Sequence, residues 1–290
     1  MNEFRISASN LGLFQLQDYC ERCAWIMLKM SHRFAFQRPF PGILQYLDHL
    51  QKAAVHRYFD QYGKPPKWFG DFSDAKGYIE TGKLVYVDSE SGIELRGAPD
   101  EVVVLPDGSL AVIDYKTARH REGKDVLLPK YQAQVNAYAY LLAHHEEAYK
   151  VSKGGLLYFQ IRTEYAVDEL LDLVTKDGLD AHFYGVPMVL DIDPENVVPP
   201  LLVKTRKLLS RRTPPKGREG CKDCELLARM ANLAQIGESA EKMKKDYGLR
   251  EAERMWAAMD QYWKDRGPEE EEACFDPEGI IGLWDFSNRK

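Results

Sequence analysis

The chain has 290 residues, with 44% apolar and 29% charged side chains, the composition of an ordinary globular protein rather than a low-complexity one. Its formal charge of −6 and pI near 5.7 exclude the overall basicity usual for a nucleic-acid-binding domain, although a local basic track can suffice. No apolar run approaches the roughly 18 residues that span a bilayer. The opening "MNEFRISASN" lacks a basic-then-apolar signal pattern, so a cytoplasmic protein is the expectation.

In chain order, "ISASNLGLFQLQDYCERCAWIMLKM" reads as an opening helix capped by Ser7 or Ser9, with Leu11, Phe14 and Leu16 starting an apolar stripe. Residues 42–62 have helical spacing and carry His49 and His56 seven apart, on nearly one face. "KPPKWFG" ends that element. From 77 to 117 the pattern becomes strands. "KLVYVD", "IELRGAPDEVVVL" and "LAVIDYKT", joined by the turns "DSESG" and "PDG", predict a three-stranded antiparallel meander. A loop follows, then an amphipathic helix over residues 130–148 and a strand at "KGGLLYFQI". Residues 163–185 mix strand and helix signals without resolving. A helix is expected from about 194 to 212, and charged helices over 226–266 precede an acidic, loop-like tail. The expected division is a main domain at 1–225 and a helical, acidic extension at 226–290, a candidate docking element for a protein partner.

Two features carry chemistry. The first lies in "VIDYKT", residues 112–117. Alternation along a strand points Asp114 and Lys116 to one face, and buried charges must be paired or bound to something. The "VLPDGSL" turn brings Asp100 towards them as a hairpin. Neighbouring carboxylates repel, which raises one pKa unless a cation sits between them. A hard divalent ion with oxygen ligands, Mg²⁺ or Mn²⁺, resolves the repulsion. Lys116 can then orient or deprotonate a water, or stabilise developing negative charge. That is a parts list for metal-assisted phosphodiester hydrolysis. An Asp-x-Lys pair alone is very common and reads as a cross-strand salt bridge on a surface hairpin.

The second feature is a cysteine quartet. Of five cysteines, four form two pairs of identical spacing, Cys20-x-x-Cys23 and Cys221-x-x-Cys224, leaving Cys274 over. In a cytosolic protein such pairs read as metal ligands rather than as a disulfide framework. Four thiolates satisfy tetrahedral zinc or an iron–sulfur cluster, and leave no open position for catalysis. The basic track "VKTRKLLSRRTPPKGR", residues 203–218, leads into the second pair and offers a phosphate-contacting rim, or simply a solvated charged helix. "KTARHREGK" adds Arg119, Arg121 and Lys124. Tyr131 or Trp25 could stack bases, core packing being the favoured reading of Trp25.

Together, "GAPDEVVVLPDGSLAVIDYKT" and the order helix, strands, Asp-x-Lys strand, helix closely resemble the PD-(D/E)XK nuclease core. "YQAQVNAY" is similar to the Q-x-x-x-Y motif of RecB-like members, and the N-terminal segment resembles their start, so the likeness covers about residues 5–225. The resemblance implies an α/β, restriction-endonuclease-like core, with a central mixed sheet flanked by helices. It implies that Asp100 and Asp114 ligate the metal, with the backbone carbonyl of Tyr115, and that Lys116 is the catalytic lysine. Gln134 and Tyr138 would line the site and contact the DNA strand. A metal-binding histidine in a G-x-x-x-H pattern would be His56, although Lys52 stands at the glycine position; His49 is the fallback. The likeness extends to AddB-type and CRISPR-associated nucleases, which hold an iron–sulfur cluster with one early and three late cysteines. The two-plus-two arrangement here departs from that. A four-iron, four-sulfur cluster is favoured and zinc is the alternative. The implied activity is a metal-dependent DNA exonuclease on single-stranded ends, in DNA repair, recombination or CRISPR spacer acquisition. The alternatives are an inactive nucleic-acid-binding scaffold on the same fold, or a zinc-stapled adaptor.

Overall fold

The computed structural model describes residues 4–31, 42–120, 123 and 125–231. The chain divides into two compact units, Met1–Pro215 and Lys216–Lys290.

The first unit opens with β1 (Arg5–Ser7), α1 (Ala8–Leu11), a 3-10 turn (Gly12–Gln15) and α2 (Glu21–Lys29). Then come α3 (Gly42–Tyr62), a 3-10 segment (Lys67–Phe72), β2 (Gly77–Tyr78), β3 (Leu84–Val87), β4 (Glu94–Gly97), β5 (Glu101–Val104) and β6 (Leu110–Lys116). Next are α4 (Leu128–Ala143), β7 (Val151–Ile161), α5 (Glu169–Asp172), β8 (Val174–Thr175), β9 (Gly178–Leu179), β10 (Phe183–Leu190) and α6 (Pro194–Leu209). In the second unit, residues 222–231 are helical.

The central sheet has the order β10-β7-β6-β5-β2. It is mixed: β5 and β6 form an antiparallel hairpin, whereas β6 and β7 run parallel and are joined through α4. Every residue of β6 is buried, because both faces of the sheet are covered. On one face, Val112, Leu110 and Leu156 pack with α4 residues such as Val135 and with Leu202 of α6. On the other, Ala111, Ile113 and Tyr115 pack with Val55 and Phe59 of α3 and with Phe69 and Phe72. This alternation sorts the β6 side chains: Asp114 and Lys116 fall on the α4 face and Tyr115 on the α3 face.

The structure corrects several local expectations. The meander is not one sheet. "IELRGAPDEVVVL" breaks after Gly97 into β4, which joins β1 and β3 in a separate three-stranded sheet, and β5 in the central one. Pro99 has no N–H to continue a ladder. Gly97 is closely covered, since a Cβ there would lie 2.8 Å from both Tyr138 and Leu141. The opening segment is likewise not one helix. Residues 5–7 pair in parallel with β4, and Ser7 caps only the short α1, its Oγ accepting the Asn10 N–H at 3.2 Å. The 163–185 segment resolves into α5, the β8–β9 hairpin and the start of β10. The helix expected from 194 to 212 is α6, and it carries Pro199 and Pro200 inside it. The expected helices beyond 231, the acidic tail and Cys274 lie outside the described residues. No helix among the described residues is long and apolar enough to cross a membrane.

Candidate functional site

The carboxylates and lysines meet at the C-terminal end of β6. Lys116 Nζ lies 2.7 Å from Asp114 Oδ2, and both side chains are almost wholly buried. Beyond this ion pair, Asp114 Oδ2 has no hydrogen-bond donor among the described residues. Asp100 stands in the turn before β5, with its Oδ2 accepting the Tyr115 backbone N–H at 2.8 Å. Burial raises the Asp114 pKa, the Lys116 charge pulls it down and the nearby Asp100 charge pushes it up again, leaving it at about 6. A buried carboxyl whose like-charged neighbour stands close is the setting that a divalent ion relieves. The donor set is hard oxygen, which suits Mg²⁺ or Mn²⁺.

Helix α4 supplies the roof. Gln134 Nε2 donates to Asp114 Oδ1 at 2.9 Å and to Tyr138 Oη at 2.8 Å, so the two residues four apart face the strand together. Burial raises the Tyr138 pKa well above its ordinary value, with Asp114 and Asp100 adding to it. The Lys116 ammonium also lies 4.0 Å from the centre of the Tyr131 ring, a cation–π contact. Tyr131 is therefore not a free base-stacking platform: it is 4% exposed and its ring is taken by the lysine. Trp25 is half-buried, with its indole N–H donating to the Arg211 carbonyl at 3.3 Å.

Helix α3 faces the opposite side of the hairpin. His56 Nε2 lies 3.0 Å from Glu101 Oε2, and its ring stacks on Tyr78 at 4.1 Å. Glu101 also accepts the Tyr115 hydroxyl at 3.0 Å. Asp100 and Glu101 are adjacent in sequence, so their side chains diverge, and the α3 face receives Glu101. Burial raises the Glu101 pKa against the opposing pull of His56 and of the Tyr115 hydroxyl. Thus the structure brings Asp100 and Asp114 together but places His56 on Glu101. Among the described residues, His56, Asp100 and Asp114 do not converge as a compact ligand set. His49 is exposed. A pocket of about 210 Å³ opens beside this cluster, lined by His56, Glu80, Asp100 and Glu101 among others.

Two functional-site residues escape the sequence reading. Glu101 is hidden because it follows the motif acid directly and reads as the start of an apolar strand. Lys52 reads there only as a missing glycine, yet its Nζ lies 2.7 Å from Asp100 Oδ1. Its place one helical turn before His56 was the available signal.

Each C-x-x-C pair sits within its own unit, Cys20 and Cys23 in the first and Cys221 and Cys224 in the second. Cys20 is the N-cap of α2, and Cys221 immediately precedes the 222–231 helix. In the basic track, Lys204 lies over the Tyr19 ring at 4.5 Å and Arg206 over Phe4 at 4.9 Å, so both side chains are committed to packing. Arg211 and Arg212 are exposed, as is Arg119, whereas Arg121 and Lys124 lie outside the described residues.

The family model described as PD-(D/E)XK nuclease superfamily matches residues 12–229. No curated protein matches this chain. Among solved structures, the crystal structure of SSO0001 is similar at 15% identity, with 74% of this chain and 81% of that chain covered and a TM-score of 0.37.

Proposed function

Because this chain belongs to the PD-(D/E)XK nuclease superfamily, we propose that it is a metal-dependent deoxyribonuclease of the RecB-like type, an exonuclease on single-stranded DNA ends. The observation that carries this reading is the buried Asp114–Lys116 pair with Asp100 beside it. Asp100, Asp114 and the Tyr115 carbonyl would hold Mg²⁺ or Mn²⁺, and His56 would join them on leaving Glu101. A buried carboxyl whose pKa is raised by burial, with a second acid beside it, is a setting that suits a cation. Bound there, the ion supplies Lewis-acid polarisation of the phosphodiester and acidifies water.

The chain's own groups do the rest. Gln134 holds the Asp114 carboxylate by its Oδ1, leaving Oδ2 for the ion and for Lys116. Tyr131 steers the ammonium from its other side. The Lys116 ammonium positions the attacking water and offers positive charge as negative charge grows on the phosphate oxygens. The new P–O bond forms as the bond to the deoxyribose oxygen breaks; the attacking water gives its proton to solvent, and the departing oxygen takes one up from solvent. Arg119, Arg211 and Arg212 are exposed cations suited to phosphate contacts.

The cysteine quartet is proposed as a structural centre, a four-iron, four-sulfur cluster with zinc as the alternative. Four protein ligands leave no open position for substrate. Repair, recombination or CRISPR spacer acquisition is the proposed setting, on the likeness of the motifs alone. The test is digestion of end-labelled single- and double-stranded DNA with Mg²⁺ or Mn²⁺, comparing wild type with Asp114→Ala. Cleavage lost in the variant supports the reading. A wild type inert on every DNA form with both metals overturns it. Iron and zinc analysis of anaerobically purified protein decides the quartet: zinc without iron removes the cluster.

A further inference from the structure

Lys52 sits on α3 where its ammonium reaches two acids, Asp100 Oδ1 at 2.7 Å and Asp48 Oδ2 at 3.2 Å. The other Asp100 oxygen is held by the Tyr115 N–H at 2.8 Å. Both oxygens of a proposed metal-ligating acid therefore already face a donor. The two donors differ in kind. The Tyr115 amide is fixed in a fully buried strand, whereas Lys52 is half-buried at the end of a flexible four-carbon stem. Asp48, one helical turn away on the same face, offers the ammonium a second seat. The two ion pairs hold the ammonium where it stands.

We propose that Lys52 is a resident cation that occupies Asp100 in the metal-free protein, competes with the divalent ion for it, and withdraws onto Asp48 when the ion binds. The proposal rests on the metal-site reading above. It gives Lys52 a job that a glycine at that position could not do. The lysine screens the repulsion between Asp100 and Asp114 until the ion arrives, and it weakens the ion's affinity by holding its ligand. It is a positioning residue acting through Asp100, so the decisive readout is binding rather than turnover.

The experiment is a Mn²⁺ binding isotherm on the full chain, for wild type, Lys52→Met and Lys52→Gln, with Asp114→Asn identifying the acidic site. Removing a like charge beside the bound ion should tighten Mn²⁺ about tenfold, a step of about 1.4 kcal/mol. The Mn²⁺-induced rise in melting temperature should grow in step, since the ion then relieves an unscreened carboxylate pair. Lys52→Gln keeps a hydrogen-bond donor without the charge, and decides the matter if Lys52→Met is too unstable to purify. Unchanged or weaker Mn²⁺ binding in a folded variant overturns the role of Lys52 while leaving the metal site standing. A wild type that binds no Mn²⁺ at a site sensitive to Asp114→Asn overturns the metal-site reading and this inference with it.

Discussion

Gln134 reaches from α4 to the strand below and donates its Nε2 hydrogen bond to Asp114 Oδ1 at 2.9 Å. The same amide nitrogen donates to the Tyr138 oxygen at 2.8 Å, so one side chain ties the helix to the acid and to the ring one turn on. Replacing it with leucine leaves a buried carboxylate oxygen and a buried phenol short of a partner. Such a loss costs about 1–3 kcal/mol. Gln134→Leu should lower denaturant stability by that amount and weaken Mn²⁺ binding, because Asp114 loses the contact that sets its orientation.

Acid should empty the site. The Asp114 carboxyl titrates at about 6 in the folded protein, against an ordinary value of 3.8. Burial is the main cause, offset by Lys116 and reinforced by Asp100. The folded chain thus binds this proton more tightly than the unfolded chain does. In the metal-free protein, the stability linked to Asp114 is full below the ordinary value and is lost as the pH rises through about 6. Metal binding runs the other way, since it needs the carboxylate. Mn²⁺ isotherms across this range should show affinity falling below about pH 6, with proton release on binding. Affinity independent of pH would place the metal elsewhere.

Glu101 should prove structural and electrostatic at once. Its side chain is 1% exposed and is shared by His56 and the Tyr115 hydroxyl. Glu101→Ala strips both partners inside the sheet and should cost about 3 kcal/mol in a denaturant melt. Glu101→Gln keeps an acceptor oxygen and should recover most of that loss.

Much of this architecture is legible in the sequence. The alternation along "VIDYKT" puts Asp114 and Lys116 on one face, the four-residue spacing puts Gln134 and Tyr138 on another, and the structure brings those faces together. The "DSESG" and "PDG" turns mark real hairpins. What stayed hidden depends on which layer each side chain joins. The sequence does not show that the chain changes sheets at Gly97–Asp100, because the switch rests on packing against Tyr138 and Leu141, far along the chain. It does not show that His56 lies across the hairpin from Asp114, since that follows from α3 covering the Glu101 face. Lys52 looked like a defect in a motif, and only its distance to Asp100 makes it part of the site.

On the proposed mechanism, Lys116 drives cleavage at a metal site built by Asp114 and Asp100. It is tested most directly by single-turnover digestion of end-labelled single-stranded DNA with wild type and Lys116→Ala, each shown by isotherm to be loaded with Mn²⁺. The variant should keep its Mn²⁺ and lose cleavage by about 10²–10³-fold, the usual cost of removing a charge aimed at the transition state. A loaded Lys116→Ala that cleaves at the wild-type rate would contradict it.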